Sequence, residues 1–366
     1  MPKVLIVSNN QDTHARTVFE CLRKKGITAI RWHPEEFIIK QKVIHKLTPS
    51  GEHLLTIQDK SSVNLKEVDV VWYRRPRPLR LPKNIEWIDK KFIQTENNLH
   101  FKSLWLTLGE NSKWINPFSS FDKSNSKILQ LRVATKVGLT IPDTVITNDK
   151  NTIIEFVNNN PKQIAIYKSF SQAVWEDDTN LYGCYSTVIN VEMLASDADM
   201  ALTPVIYQKV IEKRFEVRAI FFGNESIAVK ILCDGVDWRY IKATVNLNLT
   251  SFILPEDIQR KCILLMQHLN IVFGCFDFIV TSQDEFVFLE VNEMGQFLWI
   301  EQILPELKLL NKFCDFILAM NNNILMSDTA QEIVDLKKIT DSLSFHYLTK
   351  KDDLSHKSLE KISLVL

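Results

Sequence analysis

Short apolar runs of strand length alternate with helically spaced stretches at the start of the chain. Val4 to Ser8 is continuous and apolar up to its last residue, typical of a strand covered on both faces. Thr17, Val18, Cys21 and Leu22, closed by Gly26, have helical spacing and a glycine stop. Ile27 to Trp32 reads as a second strand, so the chain opens β-α-β, the beginning of a parallel sheet. Leu54 to Ile57 and Val68 to Tyr73 are further predicted strands, followed by punctuation at Pro76, Pro78 and Pro82 and a helix from Trp87 to Leu108.

Asn116-Pro117 marks a loop, and Ser119 to Asp122 supplies capping residues for one helix running to about Val137. A strand (Thr144 to Thr147), a helix (Asn151 to Asn158) and β-rich stretches at Ile164 to Phe170 and Tyr185 to Ile189 follow. From Val205 onward strands dominate, at Val205 to Val210, Phe215 to Phe222, Ser226 to Leu232, Phe276 to Val280 and Phe286 to Val291, interrupted by a helix from Glu256 to Leu269. The pattern divides the chain into an N-terminal unit at 1–118, a central unit at 119–204 and a C-terminal unit at 205–320. Residues 321–366 form a docking helix or a loose tail.

The 366 residues carry 44 basic and 44 acidic side chains, which argues against a surface built for nucleic acid or an anionic membrane. Six cysteines without a CxxC spacing read as thiols of a reducing compartment. No stretch is apolar for the length of a membrane span, so a cytoplasmic protein is expected. The histidines form no zinc spacing, and neither GxSxG nor GxxxxGK[ST] is present.

The strongest chemical signal is Phe276-Asp277-Phe278-Ile279-Val280, a polar turn, and Phe286 to Asn292. Period-two alternation puts Glu290 and Asn292 on one face of the second strand. If Asp277 faces them, three oxygen donors converge in a set suited to Mg²⁺. An isolated acid at a hairpin rim is ordinarily a solvated charge, but acids within such apolar strands are costly without a partner or metal. Gln208-Lys209-Val210-Ile211 leads through a charged turn into Glu216-Val217-Arg218. Such a segment suits the edge of a flat heterocycle, with a carboxylate for ribose hydroxyls, although alternating charge on a strand is usually a solvated face. Lys127 and Lys168, taken singly, read as surface lysines. Arg239 in Asp237-Trp238-Arg239 has the chemistry to clamp a phosphate or carboxylate. Arg74, Arg75, Arg77 and Arg80 form a basic run that is either a solvated loop or an anion-facing edge.

In this order the residues resemble an ATP-grasp ligase over roughly 1–320. Val71-Trp72-Tyr73-Arg74-Arg75-Pro76, Gly138 to Thr144 and Phe288 to Glu301 are similar to the subgroup that macrocyclises ribosomal peptides, the microviridin-type or graspetide ligases. The resemblance implies an α/β, ATP-grasp fold: an N-terminal β-α-β (pre-grasp) domain, a central α+β domain and a C-terminal α+β domain. It implies ATP and Mg²⁺ as cofactors, with Lys127 and Lys168 on phosphates, Gln208, Lys209 and Ile211 on adenine, and Glu216 on ribose. Asp277, Glu290 and Asn292 would hold the metal, while Arg218 and Arg239 neutralise the transferring phosphate. Arg74 and Arg75 are candidates for binding the substrate. The expected partner is a ribosomal precursor peptide, leader plus acidic core, and the expected assembly is a homodimer. One departure is a lid segment, Ser169 to Tyr185, with a single glycine at 183. The alternatives are a ligase for a free amino acid and an ATP-binding module without turnover.

Overall fold

A computed structural model of the chain describes residues 3–50, 53–58, 62–82, 84–108, 110–170, 174–176, 181–183, 186–232, 235, 247–320 and 333–341. The N-terminal unit is built on a parallel sheet of β1 (Lys3–Val7), β2 (Thr28–Trp32), β6 (Val70–Tyr73) and β7 (Lys113–Ile115), in the order β2-β1-β6-β7. Alternation along β1 sends Val4 and Ile6 to one face, where they pack with the Thr13–Lys24 and Leu309–Ala319 helices. Leu5 and Val7 go to the other, against Phe101, Leu104 and Trp105 of the Trp87–Leu108 helix. Both faces are covered, which is why the run is continuously apolar.

Between β2 and β6 lies an antiparallel meander of β3 (Lys42–Leu47), β4 (His53–Gln58) and β5 (Ser62–Asn64). The pattern had predicted only its middle strand, because β3 is largely exposed and its charges break the alternation. The single helix expected from Ser119 is interrupted. A short helix ends at Asn125, and Ser126 restarts the chain as an N-cap, its Oγ accepting from the Leu129 amide at 3.3 Å. Lys127 is therefore the first residue of the Lys127–Lys136 helix.

The central unit holds β8 (Thr144–Thr147), β9 (Ala165–Lys168), the hairpin β10 (Val174–Glu176) and β11 (Leu181–Gly183), β12 (Thr187–Ile189) and β13 (Val205–Lys209). Its main sheet is antiparallel, in the order β12-β9-β13-β8. β13, which the pattern grouped with the C-terminal strands, thus pairs as an inner strand of this sheet, between β9 and β8. On one face Val205 and Tyr207 pack on Ile153 and Val157 of the Lys150–Asn158 helix. Alternation leaves Ile206 and Gln208, paired with Lys168 and Ile166, on the other.

β13 runs through residues 210–214 into β14 (Phe215–Phe222), the centre of an antiparallel sheet with β15 (Glu225–Leu232), β16 (Asn248–Phe252), β17 (Phe273–Val280) and β18 (Phe286–Asn292). Every residue of β14 is buried. Val217, Ala219 and Phe221 pack on Cys262, Leu265 and Leu269 of the Glu256–Leu269 helix. Ile220 and Phe222 enter the same core as Val4, Ile6 and Trp72, so N- and C-terminal units share one apolar interior. The Leu298–Ile303 and Leu309–Ala319 helices, not anticipated by the pattern, complete it. Within 321–366, read as a docking helix or a loose tail, Leu336 and Ile339 of a short helix are buried against it as well. Among the described residues, no helix is long and apolar enough to cross a membrane.

The Leu309–Ala319 helix begins at Lys308 without a side-chain cap. Glu301 supplies one from outside, accepting from the Leu310 amide at 2.6 Å. Burial pushes the Glu301 carboxyl up to about 7, against about 4.3 in an unfolded chain. Across that window the folded chain holds the extra proton, so stability falls as pH rises, and the full penalty is present above it. Glu301→Gln keeps an acceptor and removes the charge. Urea denaturation should find it more stable than the parent by about 1–2 kcal/mol at pH 8 and equal below pH 4; a pH-independent difference would refute the charge argument.

Candidate functional site

The site forms where the C-terminal sheet changes from apolar to charged. Register places Arg218 on β14 opposite Asp277 on β17, and Asp277 opposite Glu290 on β18. A bulge at Asp277/Phe278 resets the β17–β18 pairing, so Phe288 stays in the core while Glu290 sits beside Asp277. Two carboxylates side by side repel, and cations relieve them. Arg218 Nη1 donates to Asp277 Oδ2 at 2.6 Å, and Lys127 Nζ from the neighbouring helix bonds Glu290. Burial works against the Arg218 charge, but the Asp277 carboxylate outweighs it and raises the pKa of the guanidinium. The result is a row of alternating sign, Arg218–Asp277–Glu290–Lys127.

Asn292 lies two residues beyond Glu290, its Oδ1 accepting from the Met294 amide at 3.0 Å. Among the described residues, no group of three or more histidine, cysteine or acidic side chains could hold a metal alone. Two carboxylates and an amide are instead the partial oxygen set that suits Mg²⁺ when waters and substrate phosphates complete the octahedron. The donor chemistry fits that ion, with Asp277, Glu290 and Asn292 as the residues that would hold it.

A second group gathers at the β13–β14 turn. Gln208 is buried; its Nε2 donates to Thr144 Oγ1 at 3.1 Å, while its Oε1 has no partner. The Lys209 amide donates to the Asp143 carbonyl at 2.9 Å. Ile211 follows in the open turn, and Glu216 is held by Lys213 at 2.5 Å. Lys168 ends β9 on the face that also carries Gln208. The two groups adjoin through β14, with Glu216 and Arg218 on one face of that strand. Arg239 lies outside the described residues.

One member of the basic run departs from both readings of it. Arg74 is neither solvated nor an open anion-facing edge. It is 0% exposed, its Nε bonded to Asp12 Oδ2 at 3.0 Å and its Nη1 donating to the carbonyls of Met294 (2.9 Å) and Gly295 (3.3 Å). Its place at the end of β6, under the turn after β18, makes it a strap between units. Arg77 donates to Gln11 at 2.6 Å. Arg75, like Arg77 and Arg80, keeps an exposed side chain without an ion pair among the described residues. The enclosing protein and the charges of Arg74 and Arg218 lower its pKa to about 10.

Three further residues position the site and were given no such role by the sequence. Asn116, at the end of β7, accepts from the Val272 and Phe273 amides and donates to the carbonyls of Phe273 and Glu293. Gln130 clamps β18 by exchanging two hydrogen bonds with the backbone of Val291, at 2.9 and 3.0 Å. Gly295 has no room for a Cβ, which would stand 2.5 Å from Cys275 Sγ and 3.0 Å from Arg218 Nη2. The available signals were an amide at a strand end before Pro117, a glutamine among apolar helix positions, and a glycine just past the acidic strand.

Residues 3–122 match the family model of the MvdD pre-ATP-grasp domain. Among solved structures, the macrocyclase MdnC of Microcystis aeruginosa MRC, bound with its precursor peptide MdnA, is similar at 24% identity and a TM-score of 0.76, over 87% of this chain and 99% of that one. A RiPP-associated ATP-grasp ligase of Chryseobacterium gregarium, in complex with ADP and a leader and core peptide, has 23% identity and a TM-score of 0.77, over 89% and 100%. The ATP-grasp ligase PsnB, complexed with a precursor variant, Mg and ADP, has 16% identity and a TM-score of 0.69, over 87% and 98%. No curated protein sequence matches the chain. The chain has the α/β ATP-grasp fold, with a pre-grasp domain at its N-terminus.

The strap can be tested directly. Removing one partner of a buried ion pair leaves the other uncompensated and costs about 3–5 kcal/mol. Arg74→Ala should lower the urea-unfolding free energy by that order, while Arg75→Ala changes it by less than about 0.5 kcal/mol. Equal effects of the two substitutions would deny Arg74 its structural role.

Proposed function

We propose that this protein is an ADP-forming ligase that joins side chains of a ribosomally made precursor peptide as esters or amides. The observation that carries the reading is the alternating row Arg218–Asp277–Glu290–Lys127 beside the β13–β14 turn that carries Gln208 and Glu216. Support comes from the match of the N-terminal unit to a pre-grasp domain and from whole-chain likeness to ligases solved with precursor peptides.

In this reading ATP lies between the central and C-terminal sheets. Gln208, Lys209 and Ile211 take the adenine edge; Gln208 Oε1, buried and unpartnered, suits an exocyclic amine. Glu216 binds ribose, and Lys127, Lys168, Arg218 and Arg239 share the phosphate charge. Mg²⁺, when bound, supplies charge neutralisation at the transferring phosphate oxygens.

A side-chain carboxylate of the peptide attacks the γ-phosphorus, and ADP leaves with the bonding electrons of the β–γ bridge. The product is an acyl phosphate. A Ser or Thr hydroxyl or a Lys amine then attacks the acyl carbon, inorganic phosphate leaves, and one proton is released. The chain need contribute no covalent nucleophile; its part is to hold both reactants in line and to balance charge. The leader is held as a handle, the protein acts as a cytoplasmic homodimer, and nucleic acid and membranes play no part.

ADP release with and without an acidic precursor peptide, together with the mass loss of one water per cross-link, tests the reaction. Asp277→Asn and Glu290→Gln should each lower turnover by about 10²–10³ while leaving the circular-dichroism spectrum unchanged. Parent-level turnover of either at saturating ATP and millimolar Mg²⁺ would remove the metal assignment.

A further inference from the structure

The N-terminal sheet, ordered β2-β1-β6-β7, reverses its direction of growth between β1 and β6. In open parallel sheets ligands bind outside the carboxyl ends of the strands at such a switch point. Here those ends carry Asn9 and Asp12 after β1 and Arg74 and Arg75 after β6. Asp12 is spent on Arg74 and on the Ala15 amide. Arg75 remains.

Its backbone is fixed on both sides, the amide lying 3.3 Å from Met294 Sδ and the carbonyl accepting from Asn9 Nδ2 at 3.0 Å. Its φ is +46°, a left-handed conformation that an arginine adopts only under strain. The fold thus holds this cation on a strained backbone anchored on both sides, leaves its side chain exposed, and pairs it with no carboxylate at ion-pair distance among the described residues, Asp12 and Glu293 acting on it only from farther away. The same turn, Met294-Gly295, anchors Arg74 and leads directly from Asn292, and Arg218 Nη2 donates to the carbonyl of Gln296 at 3.2 Å. Arg75 therefore stands against the turn that ends the charged row, within electrostatic reach of Arg218. Burial and the charges of Arg74 and Arg218 lower its pKa, and the Asp12 carboxylate offsets only part of that.

We infer that Arg75 binds the acidic side chain of the peptide that is to be activated, presenting its carboxylate to Arg218 and the Asp277–Glu290 pair. This rests on the ligase reading above and adds to it the residue that chooses the acyl donor. A guanidinium offers two parallel donors to one carboxylate and stays charged throughout, so the carboxylate arrives ionised and needs no base. An ATP phosphate is the other anion of matching chemistry, and the test separates the two.

Three chains, the parent, Arg75→Ala and Arg75→Lys, are assayed with an acidic precursor peptide and with a copy whose core Asp and Glu are replaced by Asn and Gln. Fluorescence anisotropy of the labelled peptides reads binding, and ADP release reads turnover against peptide and against ATP. Arg75→Ala should weaken binding of the acidic peptide and raise its apparent KM about ten- to a hundredfold, the worth of one charge-assisted pair. The ATP KM and the melting temperature should stay put, and Arg75→Lys should recover part of the loss. The amide copy should bind parent and Arg75→Ala equally. Discrimination of acid from amide that persists in Arg75→Ala would overturn the inference, as would a raised ATP KM with unchanged peptide binding. Absence of peptide-dependent ADP release from the parent would instead sink the ligase reading, and the binding arm would still judge Arg75.

Discussion

One buried guanidinium holds the architecture of the site. Arg74 reaches from the end of β6 to Asp12 on one side and to the carbonyls of Met294 and Gly295 on the other. Those carbonyls belong to the turn that follows Asn292, and the same turn accepts from Arg218 through Gln296. A shift of the strap is therefore a shift of Asn292 and Arg218 together. Asn116 repeats the device from the end of β7, satisfying amides at Val272 and Phe273 and the carbonyl of Glu293. The carboxyl ends of two parallel strands in one unit thus fix both ends of the charged hairpin in another. The apolar core that runs from Val4 and Trp72 to Phe222 and Phe313 gives this junction its rigidity.

The charge arrangement follows from the same geometry. Strand register alone would set Asp277 and Glu290 against each other on a half-buried surface. Arg218 and Lys127 cancel them one for one, so the row carries no net charge, and it avoids the cost of an unpaired buried ion. Such a row stays folded without a metal and yet offers two carboxylates to one. The Glu290 end, paired with a helix-borne lysine that is part-exposed, is more open than the Arg218–Asp277 end, which is buried.

Much of this was legible in the residues, and what was not has identifiable causes. Asp277, Glu290 and Asn292 stood out because acids in apolar strands are rare, but whether they face one another depends on a bulge that period-two counting does not foresee. β13 was grouped with strands it does not pair with because a strand's sequence records its burial and not its partners. The break at Ser126 was hidden inside a run with continuous helical patterning. Asn116 and Gln130 act through amide groups whose partners across the junction lie 156 to 177 positions away, and a single uncharged amide leaves no mark that a sequence pattern can register.

The sharpest limit is the pair Arg74 and Arg75. They are adjacent, chemically identical and part of one basic run, yet one is sealed in the protein and the other is open. Parallel-strand geometry explains the difference. The chain leaves β6 at Tyr73, the next side chain continues inward to the shared core's edge, and the left-handed turn at Arg75 redirects the following one outward. Because the two positions share a peptide bond, the residue that fixes the junction also fixes where the open cation stands. Stability and anion placement are in this way tied to a single backbone turn, and an insertion between the two arginines would separate them where a substitution at either would not.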